Sequence, residues 1–92
     1  MVGMFAISKA GHDKGRMYLI IGEDETTVDL ADGKIRMLEN PKRKKKKHVQ
    51  VVKKGSDEAL THKLLNGETL YNEEIKHAIR IRTNKEVTHV EG

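Results

Sequence analysis

The first half of the chain alternates apolar and polar positions in short segments, which is the two-residue period of β-strands. Residues 4–8 form the first such segment. Residues 16–22 are the most apolar segment and are rich in strand-favouring side chains, so we expect them to form a central strand. Residues 27–31 alternate cleanly and place Val28 and Leu30 on one face. The pattern therefore begins with three strands.

The pair Asp32-Gly33 predicts a hairpin, because an Asp-Gly pair between two alternating segments favours a two-residue type I′ turn. The alternation resumes in residues 34–38, which we expect to form the fourth strand. Residues 48–52 are expected to form the last one. Five short strands with turn signals at regular intervals predict a small barrel or roll.

After residue 55 the pattern predicts two helices of about ten residues each. Ser56 and Asn72 are candidate N-caps, acidic residues follow each of them, and Arg80 lies near the expected C-terminal end of the second helix, as the helix dipole favours. In each helix two apolar residues lie four positions apart: Leu60 and Leu64, then Ile75 and Ile79. Helices this short are marginal in isolation, so we expect both to dock on the strands, and residues 84–92 to fray.

Positive charge is concentrated in one part of the chain. Residues 42–54 contain eight Lys or Arg and no acid, whereas residues 1–41 and 55–92 each contain five basic and seven acidic residues. A slightly acidic body with one basic segment is typical of a protein with a polyanionic partner. We expect this basic segment to be an exposed connection leading from Pro41 into the last strand. A nuclear-localisation signal and a flexible solvated loop remain alternatives.

Composition argues against several functional classes. A chain of 92 residues forms one domain with a small core. The absence of cysteine excludes a disulfide framework and a thiolate zinc site, which fits a cytoplasmic protein. The longest apolar run, residues 17–21, is too short to cross a membrane. The five histidines lack the spacing of metal ligands: His12, His48, His62, His77 and His89. We therefore expect no catalytic residue, metal, cofactor, small-molecule substrate or membrane partner.

The segment SKAGHDKGR, residues 8–16, predicts an exposed loop that carries candidate binding groups. Gly11 and Gly15 bracket it, which favours a tight connection with accessible backbone amides. Lys9, Lys14 and Arg16 supply three cations around those amides. An ordinary polar hairpin loop is the alternative interpretation.

The segments ISKAGHDKGRMYLII, ADGKIR and PKRKKKKH, in this order, resemble the KOW motif and its surroundings in small bacterial KOW-domain RNA-binding proteins. Those proteins are related to a large-subunit ribosomal protein family of archaea and eukaryotes. The resemblance covers about residues 2–52. It implies a mainly β fold: a small, five-stranded SH3-like barrel over residues 1–54 that contacts ribosomal RNA or ribosome-associated proteins. Two short C-terminal α-helices over residues 55–92 would follow and pack on the barrel.

The expected RNA-binding residues lie in three segments, and the resemblance maps all of them except His12 and Arg43. They are Lys9, Gly11, His12, Lys14, Gly15 and Arg16 in the loop, Lys34 and Arg36 in the predicted hairpin, and Lys42, Arg43, Lys44, Lys45, Lys46, Lys47 and His48 in the basic segment. Asp13, Asp32, Gly33 and Pro41 also fall on the pattern. The acidic turn at residues 23–25 departs from it and is expected to point away from RNA, since phosphates would repel it.

These observations favour a non-enzymatic RNA-binding protein, associated with the ribosome. The six basic residues of 42–47 would each meet a phosphate, and binding would weaken steeply with salt. Base stacking is not expected to dominate, since only Phe5, Tyr18 and Tyr71 are aromatic. The alternative is a protein-interaction module that acts as a transcription or translation accessory factor. An enzyme is the least supported class.

Overall fold

A computed structural model of the protein describes residues 1–52 and 57–91, with side chains in both ranges except at 84–91. The elements in these residues are β1 (Phe5–Ser8), β2 (Met17–Glu23), β3 (Thr27–Ala31), β4 (Lys42–Lys45), β5 (Val49–Val52), α1 (Glu58–Leu65) and α2 (Asn72–Glu91). A single 3-10 turn, Lys46–His48, joins β4 to β5. The strands form one antiparallel sheet in the order β4-β3-β2-β1-β5. The mainly β class and the two C-terminal helices are confirmed.

The central position predicted for residues 16–22 is confirmed, because β2 is the middle strand of the sheet. Alternate residues of β2 belong to two apolar clusters on opposite faces. The first cluster contains strand residues alone: Ala6, Tyr18, Ile20, Val28, Leu30 and Val49. The second cluster combines strand residues with one residue from each helix, Leu60 of α1 and Ile75 of α2. Its strand residues are Phe5, Met17, Leu19 and Ala31. In the described residues β4 and β5 do not pair with each other, so the sheet is open at these two edges.

Both helices pack on one face of the sheet, as their apolar positions predict. Leu60 of α1 and Ile75 of α2 are buried, and Leu64 and Ile79 are partly buried against the same cluster. The guanidinium carbon of Arg82 lies 4.8 Å from the ring centroid of Phe5, which adds a cation–π contact between α2 and β1. Burial against the sheet thus stabilises α1, which at eight residues would be marginal as an isolated helix.

The predicted Asp32-Gly33 hairpin is wrong. A type I′ turn needs positive φ at both central residues, but only Gly33 has it, at 76°. The Asp32 carboxylate oxygen Oδ1 instead accepts three consecutive backbone N–H hydrogen bonds, from Lys34, Ile35 and Arg36. These bonds close residues 32–36 into a compact turn. Residues 34–38 are therefore not a strand, and Ile35 is 61% exposed.

The fourth strand lies in the basic segment itself. Lys42–Lys45 pairs with β3, with Val28 opposite Lys44. The prediction of an exposed connection in this segment is therefore wrong for these four residues. A strand of Lys and Arg forms at this position because backbone hydrogen bonds pair it with β3. Its charged side chains also disfavour pairing of this edge strand with other chains.

The helix ends also differ from the predictions. Asp57 caps α1 by accepting a hydrogen bond from the Leu60 N–H at 3.1 Å, whereas Ser56 lies outside the described residues. Asn72 is the first residue of α2 rather than a cap that precedes it. α2 has 20 residues and continues to Glu91, so the expected fraying from residue 84 is wrong for residues 84–91. No helix in the described ranges is long and apolar enough to span a bilayer.

Candidate nucleic-acid interface

The loop between β1 and β2 is built around a buried carboxylate, that of Asp13, which is 8% exposed. The Ser8 hydroxyl donates to its Oδ1 at 2.8 Å, and the Tyr18 hydroxyl donates to its Oδ2 at 2.7 Å. Two ammonium groups of β4 complete the cluster. The Nζ of Lys44 lies 2.9 Å from Oδ1, and the Nζ of Lys42 lies 3.2 Å from Oδ2. Asp13 therefore ties the glycine-bracketed loop to the basic edge strand.

The surroundings of Asp13 keep it ionised. Burial by itself would raise its pKa, but hydrogen bonds from Lys44, Tyr18, Ser8 and Lys42 outweigh this and hold the pKa well below its usual range. Burial also raises the pKa of the Tyr18 hydroxyl, and the hydrogen bond to the Asp13 carboxylate raises it further. At neutral pH the cluster thus contains one carboxylate, two ammonium groups and a neutral phenol.

This cluster engages two of the residues expected to bind RNA. The side chain of Lys44 is only 10% exposed, and its Nζ also donates to the Ala10 carbonyl at 2.8 Å. Lys42 shares the same carboxylate. A phosphate would have to displace Asp13 to reach Lys44, so the main role of Lys44 in this structure is to hold the loop in place.

The acidic turn that follows β2 engages two more of these residues. Arg43 contacts Asp29 at 3.0 Å and Asp24 at 3.4 Å. Lys46 contacts Glu23 at 2.9 Å. The turn lies beside these two residues because β3 carries it next to β4.

Six of the predicted cations have no ion pair and no side-chain hydrogen bond within residues 1–52 and 57–83. They are Lys9, Lys14, Lys34, Arg36, Lys45 and Lys47. The backbone N–H of Lys9 donates to the His48 carbonyl at 2.8 Å, so the loop and the 3-10 turn are neighbours. Lys45, Lys46 and Lys47 line a shallow depression of about 440 Å³ together with Thr26. We call the exposed cations Lys9, Lys14, Lys45 and Lys47 the basic face.

The remaining loop residues have less distinctive positions. His12 is exposed and His48 is half-buried. Gly11 and Gly15 are exposed, with φ values of 87° and 90°, so their positive φ favours glycine. The predicted accessible amides are not found at four positions of the loop, because the N–H groups of Lys9, Lys14, Gly15 and Arg16 already donate to backbone carbonyls.

A second basic surface lies between the β1–β2 loop, the turn at residues 32–36 and α2. This groove, which we call the α2 groove, has a volume of about 490 Å³. Its cations are Arg16, Lys34, Lys76 and Arg80. Its apolar residues are Ile7, Met17, Ile35 and Ile79. Asp32 is the one acid that lines it within the part of the chain that the structure describes, and its Oδ2 lies 3.9 Å from the Arg16 NH1.

Gly33 and Asn72 hold the turn against α2. A Cβ atom at Gly33 would lie 2.1 Å from the Asn72 carbonyl oxygen, so only glycine allows this approach. The Asn72 side chain accepts from the Leu38 N–H at 2.8 Å and donates to Glu39 at 2.9 Å. These contacts place Lys34 beside the exposed side of the helix.

Sequence reasoning missed Lys76 and Arg80 as site residues. Arg80 was explained by the helix dipole near a C-terminus, but α2 continues to Glu91, so Arg80 lies in the middle of the helix. The available signal was the spacing, since two basic residues four positions apart share one helix face. That signal cannot show what the face lies against, which depends on the turn at Gly33.

No protein-family model matches the chain, and no curated protein matches it either. Among the described residues, no group of three or more His, Cys, Asp or Glu is placed to hold a metal ion. The basic face and the α2 groove are therefore the features of the described residues that bear on function.

Proposed function

We propose that the protein is a non-enzymatic RNA-binding module, associated with the ribosome, which contacts the phosphates of structured RNA. We also propose that its sheet curls into an SH3-like barrel of the KOW type. The cluster built around Tyr18 and Ile20 supports the barrel, because its buried residues come from strands alone. A sheet face that is buried without helices has to be covered by the curvature of the sheet itself.

The observation that carries the proposal is the basic face. Its four lysines come from two segments, the β1–β2 loop and the end of β4 with the 3-10 turn, and none of them has a partner among the described side chains. Unpaired lysines on two neighbouring segments, which the hydrogen bond from the Lys9 N–H to the His48 carbonyl brings together, are a favourable site for phosphates, because binding releases the counterions that condense on RNA. Phe5 and Tyr18 are buried, so Tyr71 alone among the three aromatic residues is exposed for stacking on a base. Recognition would therefore depend on phosphate geometry and RNA shape.

The structure changes the expected number of phosphate contacts. Four of the six cations in residues 42–47 are engaged by carboxylates: Lys42, Arg43, Lys44 and Lys46. The four lysines of the basic face then give a salt slope of about −2.8, at ~0.7 per contact. That slope corresponds to a loss of affinity of about 50-fold between 50 and 200 mM salt. Six contacts would have given a loss of about 300-fold.

The test is a salt series of fluorescence anisotropy with a labelled RNA hairpin, together with cosedimentation with ribosomal particles. The variant Lys45→Gln/Lys47→Gln should reduce the salt slope by about 1.4, because it removes two contacts. Lys63→Gln on α1 is the control, since Lys63 pairs with Glu74 on a different part of the fold. A wild-type protein without salt-sensitive RNA affinity that also fails to sediment with ribosomal particles would disprove the proposal.

A protein-interaction module, acting as a transcription or translation accessory factor, is the second candidate. It is favoured by Leu65 and Tyr71, which are 69% and 64% exposed at and near the α1–α2 connection. Charge reversal by Lys45→Glu/Lys47→Glu distinguishes the two functions. It should abolish RNA binding and leave an apolar protein contact unchanged. Lys44 and Lys46 are left intact in this variant, because their partners are within the fold.

A further inference from the structure

We infer that the α2 groove binds an unpaired nucleotide of the RNA, with its phosphate among the cations and its base or ribose against the apolar side chains. The inference rests on the proposed function, since it takes RNA as the partner. It assigns a role to α2, which lies outside the KOW resemblance.

The charge of the groove fits a phosphate. Among the described residues, four cations and one acid line it, which gives these residues a net charge of +3. The contact between Arg16 and Asp32 is 3.9 Å long, and so is the contact between Lys76 and Glu73. Contacts at this distance are weak in water, and the Arg16 side chain is 40% exposed. The cations therefore remain available to a phosphate without the loss of a strong internal pair.

The apolar side chains of the groove indicate that its ligand has an apolar part as well as a phosphate. Ile35 is 61% exposed directly beside Lys34, and Ile79 lies one helical position from Arg80. A site for phosphate alone gains nothing from exposed isoleucine, whereas a nucleotide carries an apolar ring next to its charge. A duplex keeps its bases stacked inside, out of reach of the groove, so the nucleotide has to be unpaired.

The groove is preformed. The Asp32 carboxylate fixes the turn through three backbone hydrogen bonds, and Gly33 packs directly on α2. Lys34 and Ile35 are thus held opposite α2 before any ligand arrives. A preformed site loses less conformational entropy on binding than a flexible one.

The test compares two labelled RNAs: a blunt 16-base-pair duplex and the same duplex with a single-stranded overhang of four uridines. Wild type should bind the overhang RNA about tenfold more tightly. Lys76→Gln/Arg80→Gln should remove this preference, and Ile35→Ser should reduce it about threefold. Leu65→Ser is the matched control for Ile35→Ser, because both residues are exposed and Leu65 lies outside the groove. Circular dichroism checks that each variant folds.

The outcomes separate this inference from the proposed function. If wild type binds neither RNA, the proposed function fails and the inference fails with it. If wild type binds both RNAs and the groove variants keep the preference, the inference is overturned while the proposed function stands. An equal loss of affinity for both RNAs in the groove variants would also overturn it, since the groove would then contact phosphates alone. Support requires that Lys45→Gln/Lys47→Gln weakens both RNAs and that the groove variants weaken only the overhang RNA.

Discussion

The basic strand β4 and the α2 groove are both rich in Lys and Arg, but their charges are held in different ways. On β4, Lys42 and Lys44 face a buried carboxylate, and Arg43 pairs with the acids beside it. In the groove, Lys34 and Arg80 have no partner among the described side chains. The difference shows that the number of cations in a run does not give the number that lack a partner among the described side chains. In a strand, alternate residues face opposite sides, and each side has its own partners.

Asp13→Asn tests the paired side of this comparison and should have the largest effect. It removes the charge but keeps the shape, and it leaves the Lys44 ammonium group, on a side chain that is only 10% exposed, without a counter-ion. Removal of one partner of a buried pair typically lowers the free energy of unfolding by about 4 kcal/mol. Urea denaturation followed by circular dichroism measures the change.

Ser8→Ala is the control for Asp13→Asn. It removes one hydrogen bond to the carboxylate and leaves all charges in place, so the expected loss is about 1 kcal/mol. If Asp13→Asn were no more destabilising than Ser8→Ala, the cluster would not be what holds the loop to β4.

Gly33→Ala tests how the groove side is held, with the next largest effect. Hydrogen bonds to the Asp32 carboxylate close the turn there, and the close approach of Gly33 holds it against α2. A Cβ atom 2.1 Å from the Asn72 carbonyl oxygen adds overpacking to the cost of positive φ, for a loss of about 3 kcal/mol in the free energy of unfolding. Thermal denaturation together with urea denaturation measures it.

Gly67→Ala separates the two contributions. Gly67 also has positive φ, at 66°, but a Cβ atom there would meet nothing within 4 Å. This variant should lose only about 1 kcal/mol. Equal losses at Gly33 and Gly67 would show that the turn does not pack tightly on α2.

The pH dependence of the free energy of unfolding provides a second test of the paired side, because wild type and Asp13→Asn differ only at Asp13. The pKa of Asp13 is lowered in the folded protein, so its stabilisation is complete above the unfolded pKa of about 3.9 and is lost as pH falls below that value. The Asp13→Asn variant lacks this contribution. The stability difference between wild type and variant should therefore narrow between about pH 5 and pH 2, as measured by urea midpoints. The hydrogen bonds from Thr27 lower the pKa of Asp24 to about 2. Asp24 is present in both proteins, so its contribution cancels in the stability difference between them.

Much of the fold could be predicted from apolar periodicity. It located β2 at the centre of the sheet and placed Leu60 and Ile75 in the core. The failure at Asp32-Gly33 has a physical cause: the Asp32 side chain caps its own turn, which competes with the hairpin that the same residue pair favours. Because residues 34–38 do not form a strand, the edge of β3 is free to pair with Lys42–Lys45 of the basic segment.

The candidate site was predictable only in part. The glycine-bracketed loop and the exposed lysines could be identified from local sequence. The local sequence could not show which cations pair with carboxylates. Asp13 and Lys44, for example, are 31 positions apart and meet only because the sheet brings them together. The groove residues of α2 depend on a similar long-range contact, since Gly33 meets Asn72 far along the chain. Contacts between distant segments leave no periodic trace in a single sequence.

Arg43→Gln and Lys45→Gln test the comparison within one strand, with the smallest expected effects. Arg43 and Lys45 are two positions apart on the exposed face of β4, but only Arg43 contacts carboxylates, those of Asp29 and Asp24. Neither change should alter stability measurably, because exposed ion pairs contribute little. Lys45→Gln should reduce the salt slope of RNA binding by ~0.7, whereas Arg43→Gln should reduce it by less than half as much. The reason is that a guanidinium already neutralised by two carboxylates displaces few counterions from RNA. Equal slopes in the two variants would mean that RNA competes with Asp24 and Asp29 for Arg43, and the paired cations of β4 would then count as phosphate contacts after all.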